Sequence, residues 1–351
     1  MSENTAIDST KDFSSSVVAL WFTILAVGVA LVGVVLARSA DRLGNAFRLD
    51  RSITGFIFLA AATSLPELVV SSQLARSGAL DMAVGSLQGS CLMNLLILAA
   101  IDLSQRSRGR MLSRKAAAHV LSALASILLA AVVGLSVLYP GWPALGRMHV
   151  GSLLLLVAYL LTVRLVFVDT AKSRAADVVE SPEAAAELIE EADEASGSKR
   201  WSIIGYALAT MGIFAMASPL ATTSDSLAIL LGLSGTFFGA VFLALVTSLP
   251  EIVTTYEATR IGADDMAIGN VLGSNAFNLL ILVAVDLAAS QPLFSSISPI
   301  HAIAALGVVV TTVIAAMGML YRIERRVWYL EPDAAAVIVV AMGFYYLLFR
   351  G

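Results

Sequence analysis

The sequence predicts an all-α integral membrane protein of ten transmembrane helices, arranged as two five-helix repeats of inverted topology. Three observations lead there. Hydrophobic residues make up 58% of the chain and charged residues only 14%, a balance too apolar for a soluble protein of this length. The pentapeptide Thr63-Ser64-Leu65-Pro66-Glu67 recurs intact as Thr247-Ser248-Leu249-Pro250-Glu251. Each repeat unit holds an odd number of spans, so the second must enter the membrane from the side opposite to the first.

A helix needs roughly 20 apolar residues to cross the hydrocarbon core. Runs of that kind predict spans over about 16–38, 54–76, 81–103, 117–138 and 148–168, then 201–222, 236–259, 265–287, 300–320 and 334–349. Glu3, Asp8, Lys11 and Asp12 precede the first span, whose apolar stretch is too long for a signal-peptide core, so it reads as a retained anchor. The second span carries the first pentapeptide, and the third closes on Asp102. The fourth and fifth are plain apolar runs, with Arg164 near the end of the fifth. Sliding the chain on itself by 184 residues shows that the second half restates this order. Segments 55–103 and 239–287 then align without a gap and agree at 27 of 49 positions, and Gly28, Ala37, Asp41 and Leu43 fall on Gly212, Ala221, Asp225 and Leu227.

Between the halves, residues 169–200 carry nine acids and four basic residues, with Ser181-Pro182-Glu183 marking a helix start. This reads as a solvated cytosolic linker, too short to fold alone as a large domain. The chain therefore divides into 1–168, 169–200 and 201–351. Seventeen Lys and Arg fall in loops on the side reached after the first span, against Lys11, Arg76, Arg147 and Arg350 on the other. The positive-inside rule then places both termini outside. Cys91 is the sole cysteine, which excludes an intrachain disulfide. No nucleic-acid partner, cofactor or partner subunit is expected: the lipid bilayer is the surroundings, and the protein is expected to work as a monomer.

The pentapeptides carry the chemistry. An acid at bilayer depth costs at least about 2.5–3.5 kcal/mol on insertion scales, so it faces a protein interior and marks an ion or proton route. Glu67 and Glu251 are those acids, and few basic residues lie in the spans to pair with them. At helical spacing Thr63 and Ser64 share a face with Glu67, and Ser90 shares one with Asn94. Thr247, Ser248, Ser274 and Asn278 repeat the pattern around Glu251. Pro66 and Pro250 lack an N–H and free backbone carbonyls at Ala62 and Val246, while Gly85, Gly89, Gly269 and Gly273 allow helices to approach closely. The result is an all-oxygen cage with two formal negative charges, suited to a hard cation. Calcium takes six to eight oxygens, Na⁺ can use the same atoms, and two protons can neutralise the same acids. Competition for one site is the physical basis of exchange, and many transporters place such a site at the midplane between inverted repeats.

Other groups read as structural. Asp102 and Asp286 close the third and eighth helices and are taken as terminal carboxylates in preference to ion-vestibule acids. His119, His149 and His301 lack metal-binding spacing and have no counterpart at the 184-residue offset, so they read as ordinary interface residues. An intramembrane enzyme is disfavoured, since the chain has neither a His-Glu-x-x-His motif nor a nucleophile paired with a base. A channel filtering with carboxylates and carbonyls is the other rival.

The two motifs Gly85-Ser86-Leu87-Gln88-Gly89-Ser90-Cys91-Leu92-Met93-Asn94 and Gly269-Asn270-Val271-Leu272-Gly273-Ser274-Asn275-Ala276-Phe277-Asn278, each with its pentapeptide, resemble the alpha repeats of the cation/calcium exchanger superfamily, in particular prokaryotic sodium/calcium exchangers. The resemblance implies antiport of Ca²⁺ against Na⁺, or against H⁺ in a proton-coupled variant, in a multi-pass protein of a prokaryotic inner membrane. It implies cation binding by Glu67 and Glu251, completed by Thr63, Ser64, Thr247, Ser248, Ser90, Ser274, Asn94 and Asn278. It further implies that the first and sixth helices slide across the core bundle to switch access. The sequence departs from the family at Asn278, where some members have Asp, which disfavours K⁺ co-transport. It departs again at Ser86, Cys91 and Met93, where Asn, Asn and Phe are usual.

Overall fold

Apolar helices dominate the computed structural model, which describes residues 3–47, 49–104, 119–146, 148–180, 199–230, 236–321 and 332–350. In chain order they are α1 (Glu3–Ala46), α2 (Arg51–Thr63), α3 (Leu65–Arg76), α4 (Leu80–Ser104), α5 (Val120–Leu138) and α6 (Val150–Glu180). Then follow α7 (Lys199–Leu230), α8 (Thr236–Thr247), α9 (Leu249–Arg260), α10 (Asp264–Ala288), the short α11 (Leu293–Ser296), α12 (Ile300–Tyr321) and α13 (Pro332–Arg350). Among the described residues, seven helices are individually long and apolar enough to cross a membrane, and the bent pairs α2–α3 and α8–α9 raise the number to nine. The protein is a multi-pass membrane protein. Most of the predicted acidic linker (181–198), the basic loop 105–118 and the segment 322–331 lie outside the described residues, as do Arg48 and Arg147.

Two expectations are corrected. The spans predicted over 54–76 and 236–259 are not continuous: α2 meets α3 at 43° and α8 meets α9 at 46°. The cause is the proline. Pro66 and Pro250 lack the N–H that would continue the ladder, so each opens a new helix at its second position, with Ser64 and Ser248 as the joints at φ −84°, ψ 9° and φ −82°, ψ 7°. The described chain is also not purely helical, since a two-residue ribbon pairs β1 (Ala144–Leu145) with β2 (Met148–His149). Within α2, residues Thr54–Leu59 widen to a π-helix.

The packing comes in repeat-related pairs. Helices α4 and α10 lie against each other at the centre, α2 packs on α10 as α8 packs on α4, and α1 packs on α9 as α7 packs on α3. Helices α1 and α7 lie side by side on the periphery, and α1 turns Leu20, Ile24, Val27, Leu31 and Val35 outward as an apolar stripe that suits lipid. An ion pair also ties α1 inward, from exposed Arg38 to buried Glu257 on α9 at 2.7 Å. The turns leaving α3 and α9 are equivalent, with Gly78 and Gly262 at φ +85° and +75°, a region that side chains other than glycine rarely adopt.

Asp286 has a structural task. It is fully buried, and its carboxylate accepts hydrogen bonds from the His149 N–H at 2.8 Å, the Ser152 hydroxyl at 2.6 Å and the Leu293 N–H at 2.7 Å. It thereby fastens β2, the start of α6 and α11 to the end of α10. Replacing it with Ala leaves two buried N–H groups unpaired, and Asp286→Ala should lower stability by about 2–4 kcal/mol. A thermal melt in detergent should register the loss, while the apparent affinity of surviving protein for cations stays at the wild-type value.

The histidines are buried and bonded. His119 Nε2 lies 3.1 Å from Asp265 Oδ1, and His301 Nε2 lies 3.0 Å from Asp81 Oδ1. Asp81 and Asp265 occupy equivalent positions in the two repeats, so the two contacts fasten equivalent helix ends. His149 packs on Phe294 and accepts the Gly151 N–H at 3.0 Å.

Candidate functional site

The two breaks place Glu67 and Glu251 in the first turns of α3 and α9. A helix N-terminus carries partial positive charge, which favours an acid there over one in mid-helix. Both side chains are essentially fully buried. The same breaks put Thr63-Ser64 and Thr247-Ser248 at the joints, beside the acids, so the Pro residues build the site by interrupting the helix.

The acids are bound across the repeats. Ser64 Oγ donates to Glu251 Oε1 at 3.2 Å, and Ser248 Oγ donates to Glu67 Oε1 at 3.4 Å. Each pentapeptide thus supplies the hydroxyl that meets the other's carboxylate. Ser90 on α4 also donates to Glu67 Oε1, at 3.4 Å. Thr63 Oγ1 lies 3.3 Å from Ser274 Oγ on α10 and 3.4 Å from Asn270 Oδ1. Thr247 Oγ1 donates to the Ala244 carbonyl at 3.3 Å. All ten residues singled out in the sequence are buried, and Asn94 and Asn278 lie on the central helices α4 and α10.

What the cluster leaves unbonded is informative. Among the described residues, Glu67 Oε2, Glu251 Oε2, Asn94 Oδ1 and both amide atoms of Asn278 are buried without a hydrogen-bond partner. Among the described residues no salt bridge reaches either glutamate. Buried polar atoms are nearly always paired, and buried charges are paired or coordinate metals. An arrangement that gathers two carboxylates, several hydroxyls and two amides, and leaves acceptors unbonded, has the chemistry of a hard-cation site. Among the described residues no group of three or more His, Cys, Asp or Glu converges, so neutral oxygens must make up the rest of any such shell.

Two neighbours were not among the residues picked out by sequence. Asn270 Nδ2 donates to Thr254 and Thr255 at 3.1 and 3.0 Å, linking α10 to α9 while its oxygen faces Thr63. Asn275 Oδ1 accepts from Asn94 Nδ2 at 3.0 Å. The signal for both was the mismatch between repeats, since they stand opposite Ser86 and Cys91.

Comparison with known proteins gives a consistent family. The model for sodium/calcium exchanger protein matches residues 17–168 and 201–350. Inner membrane protein YrbG of Escherichia coli is 31% identical over 278 residues, which are 75% of this chain and 79% of that one. A candidate antiporter of Alkalimonas amylolytica, CaxA, is 27% identical over 330 residues, 91% of this chain and 97% of its own length. Among solved structures, the sodium-calcium exchanger NCX_Mj soaked with 10 mM Na⁺ superposes with a TM-score of 0.66 at 18% identity, covering 95% of this chain and 99% of that chain. That last likeness is one of fold.

Proposed function

Because this chain belongs to the sodium/calcium exchanger family, we propose that it is a secondary active antiporter exchanging Ca²⁺ for Na⁺ at a midplane site built from Glu67 and Glu251. The observation that carries the reading is the pair of buried carboxylates, joined through each other's serines, with no basic partner among the described residues and with oxygens left to accept a ligand. Two negative charges balance one Ca²⁺. Two Na⁺ or two protons would do the same, which is why the site can be handed from one ion to the other.

In this reading Thr63, Ser64, Thr247, Ser248, Ser90, Ser274, Asn94 and Asn278 supply neutral oxygens. The spans number ten, counting the shorter apolar helix Pro332–Leu348 with the seven long helices and the two broken pairs. They form two inverted five-helix repeats, 1–168 and 201–351, joined by the linker 169–200. Alternating access comes from α1 and α7 sliding over the rest, a motion favoured by their peripheral position and by an interface that is mostly apolar. The distribution of Lys and Arg favours both termini outside, the family favours a prokaryotic inner membrane, and the protein acts as a monomer without a cofactor or enzymatic activity.

Uptake of radiolabelled Ca²⁺ into proteoliposomes preloaded with Na⁺, K⁺ or choline, with and without a pH gradient, tests this. Na⁺-loaded vesicles are expected to accumulate Ca²⁺, and the others are not. Accumulation driven only by the pH gradient would transfer the role of counter-ion to H⁺. Flux indifferent to every counter-ion, with unitary currents, would make the protein a channel and overturn exchange.

A further inference from the structure

The two halves hold their amide groups unequally. Asn94 and Asn278 are repeat equivalents, as are Cys91 and Asn275. On one side Asn94 Nδ2 donates to Asn275 Oδ1 at 3.0 Å, which fixes the amide plane and leaves Asn94 Oδ1 as an unbonded acceptor. On the other side the position that should hold Asn278 is Cys91, whose thiol is spent on the Asn275 backbone carbonyl at 3.7 Å. A thiol has no amide oxygen to offer, and both Asn278 amide atoms are buried without a partner. Asn275 itself is fully buried and its Nδ2 has no partner among the described residues, so the contact to Asn94 is the one that accounts for an amide in that place.

The geometry points to Asn275 as a positioning residue that fixes Asn94 as a permanent oxygen donor to the cation, and to Cys91 as the substitution that leaves Asn278 an adjustable donor. This rests on the proposed cation site and adds a division of labour to it. A fixed donor lowers the ordering needed when an ion arrives. An unheld amide joins the shell only when the ion draws it in, and can withdraw as the ion leaves. The asymmetry would suit a carrier, which must bind its cargo well enough to select it and release it fast enough to turn over.

The test uses the full-length protein in proteoliposomes and reads Ca²⁺ KM and maximal rate separately. Asn275→Cys makes the two halves alike and removes the hold on Asn94. Partners of this kind in metal sites are worth about 10–100-fold in affinity, so KM for Ca²⁺ should rise about tenfold or more with a smaller change in maximal rate. In an Asn94→Ala background the same substitution should add less than about twofold, because coupled residues are non-additive. Cys91→Asn should act in the opposite direction, giving Asn278 an acceptor, lowering KM and slowing turnover. An unchanged KM in Asn275→Cys, or an equal KM penalty with and without Asn94, would overturn the inference. If Asn275→Cys does not fold, Cys91→Asn decides alone, and wild-type KM and rate in that variant reject the proposal. Counter-ion-driven uptake by wild-type protein, measured in the same preparation, keeps these outcomes separate from a failure of the exchange reading.

Discussion

Glu67→Gln and Glu251→Gln are each expected to abolish Ca²⁺ flux while leaving the fold intact. Glutamine keeps the shape of the side chain and an oxygen that can accept from Ser90 and Ser248, or from Ser64. What it removes is one of two negative charges in a site to which no basic side chain among the described residues is bridged. A unit charge about 4 Å from its counter-ion contributes roughly 4 kcal/mol per ionic charge at an effective dielectric of 20. That is a factor of about a thousand in affinity. Even after the partial relief of no longer burying a carboxylate, a loss of at least about a hundredfold should remain. Radiolabelled uptake measures it, and a detergent melt run beside it should show wild-type or higher stability, since a buried like-charged pair has been relieved. Wild-type transport in either variant sinks the site assignment.

Much of this site was legible in the chain because the repeat announces it. The pentapeptides, the Ser-x-x-x-Asn pairs and their burial follow from helical spacing and from the aversion of lipid for charge. The crossing of partners was not legible. Which serine meets which carboxylate depends on how α3 and α9 face each other, and no local pattern encodes a contact between residues 187 apart. The His–Asp pairs were concealed for a simpler reason. His119 and His301 are separated by 182 residues, while Asp81 and Asp265 are separated by 184, so a fixed-offset comparison passes over histidines that do equivalent work at the starts of α5 and α12. Asn270 and Asn275 lay open to view as repeat mismatches. Their meaning required the structure, because only there do they reach Thr63 and Asn94.

The glycines of the second repeat stand where backbones meet. A Cβ on Gly273 would run into the Phe56 carbonyl and Cα, and one on Gly269 would meet the Ser52 carbonyl at 2.6 Å and the Phe56 N at 3.0 Å. These neighbours are backbone and cannot rotate away. Gly273→Ala should therefore cost about 3 kcal/mol or more, the upper range for forcing a methyl into a packed interior. Gly343→Ala on the exposed face of α13, where a Cβ meets nothing within 4 Å among the described residues, should be neutral or slightly stabilising, since alanine favours a helix over glycine by up to about 1 kcal/mol. Thermal melts of the two variants in detergent separate the cases, and equal losses in both would contradict the packing described for α2 on α10. Flux should follow the same order for a physical reason. The α2–α10 contact seats Thr63 against Ser274 and Asn270, so a methyl that pries those helices apart also pulls a hydroxyl away from the carboxylates.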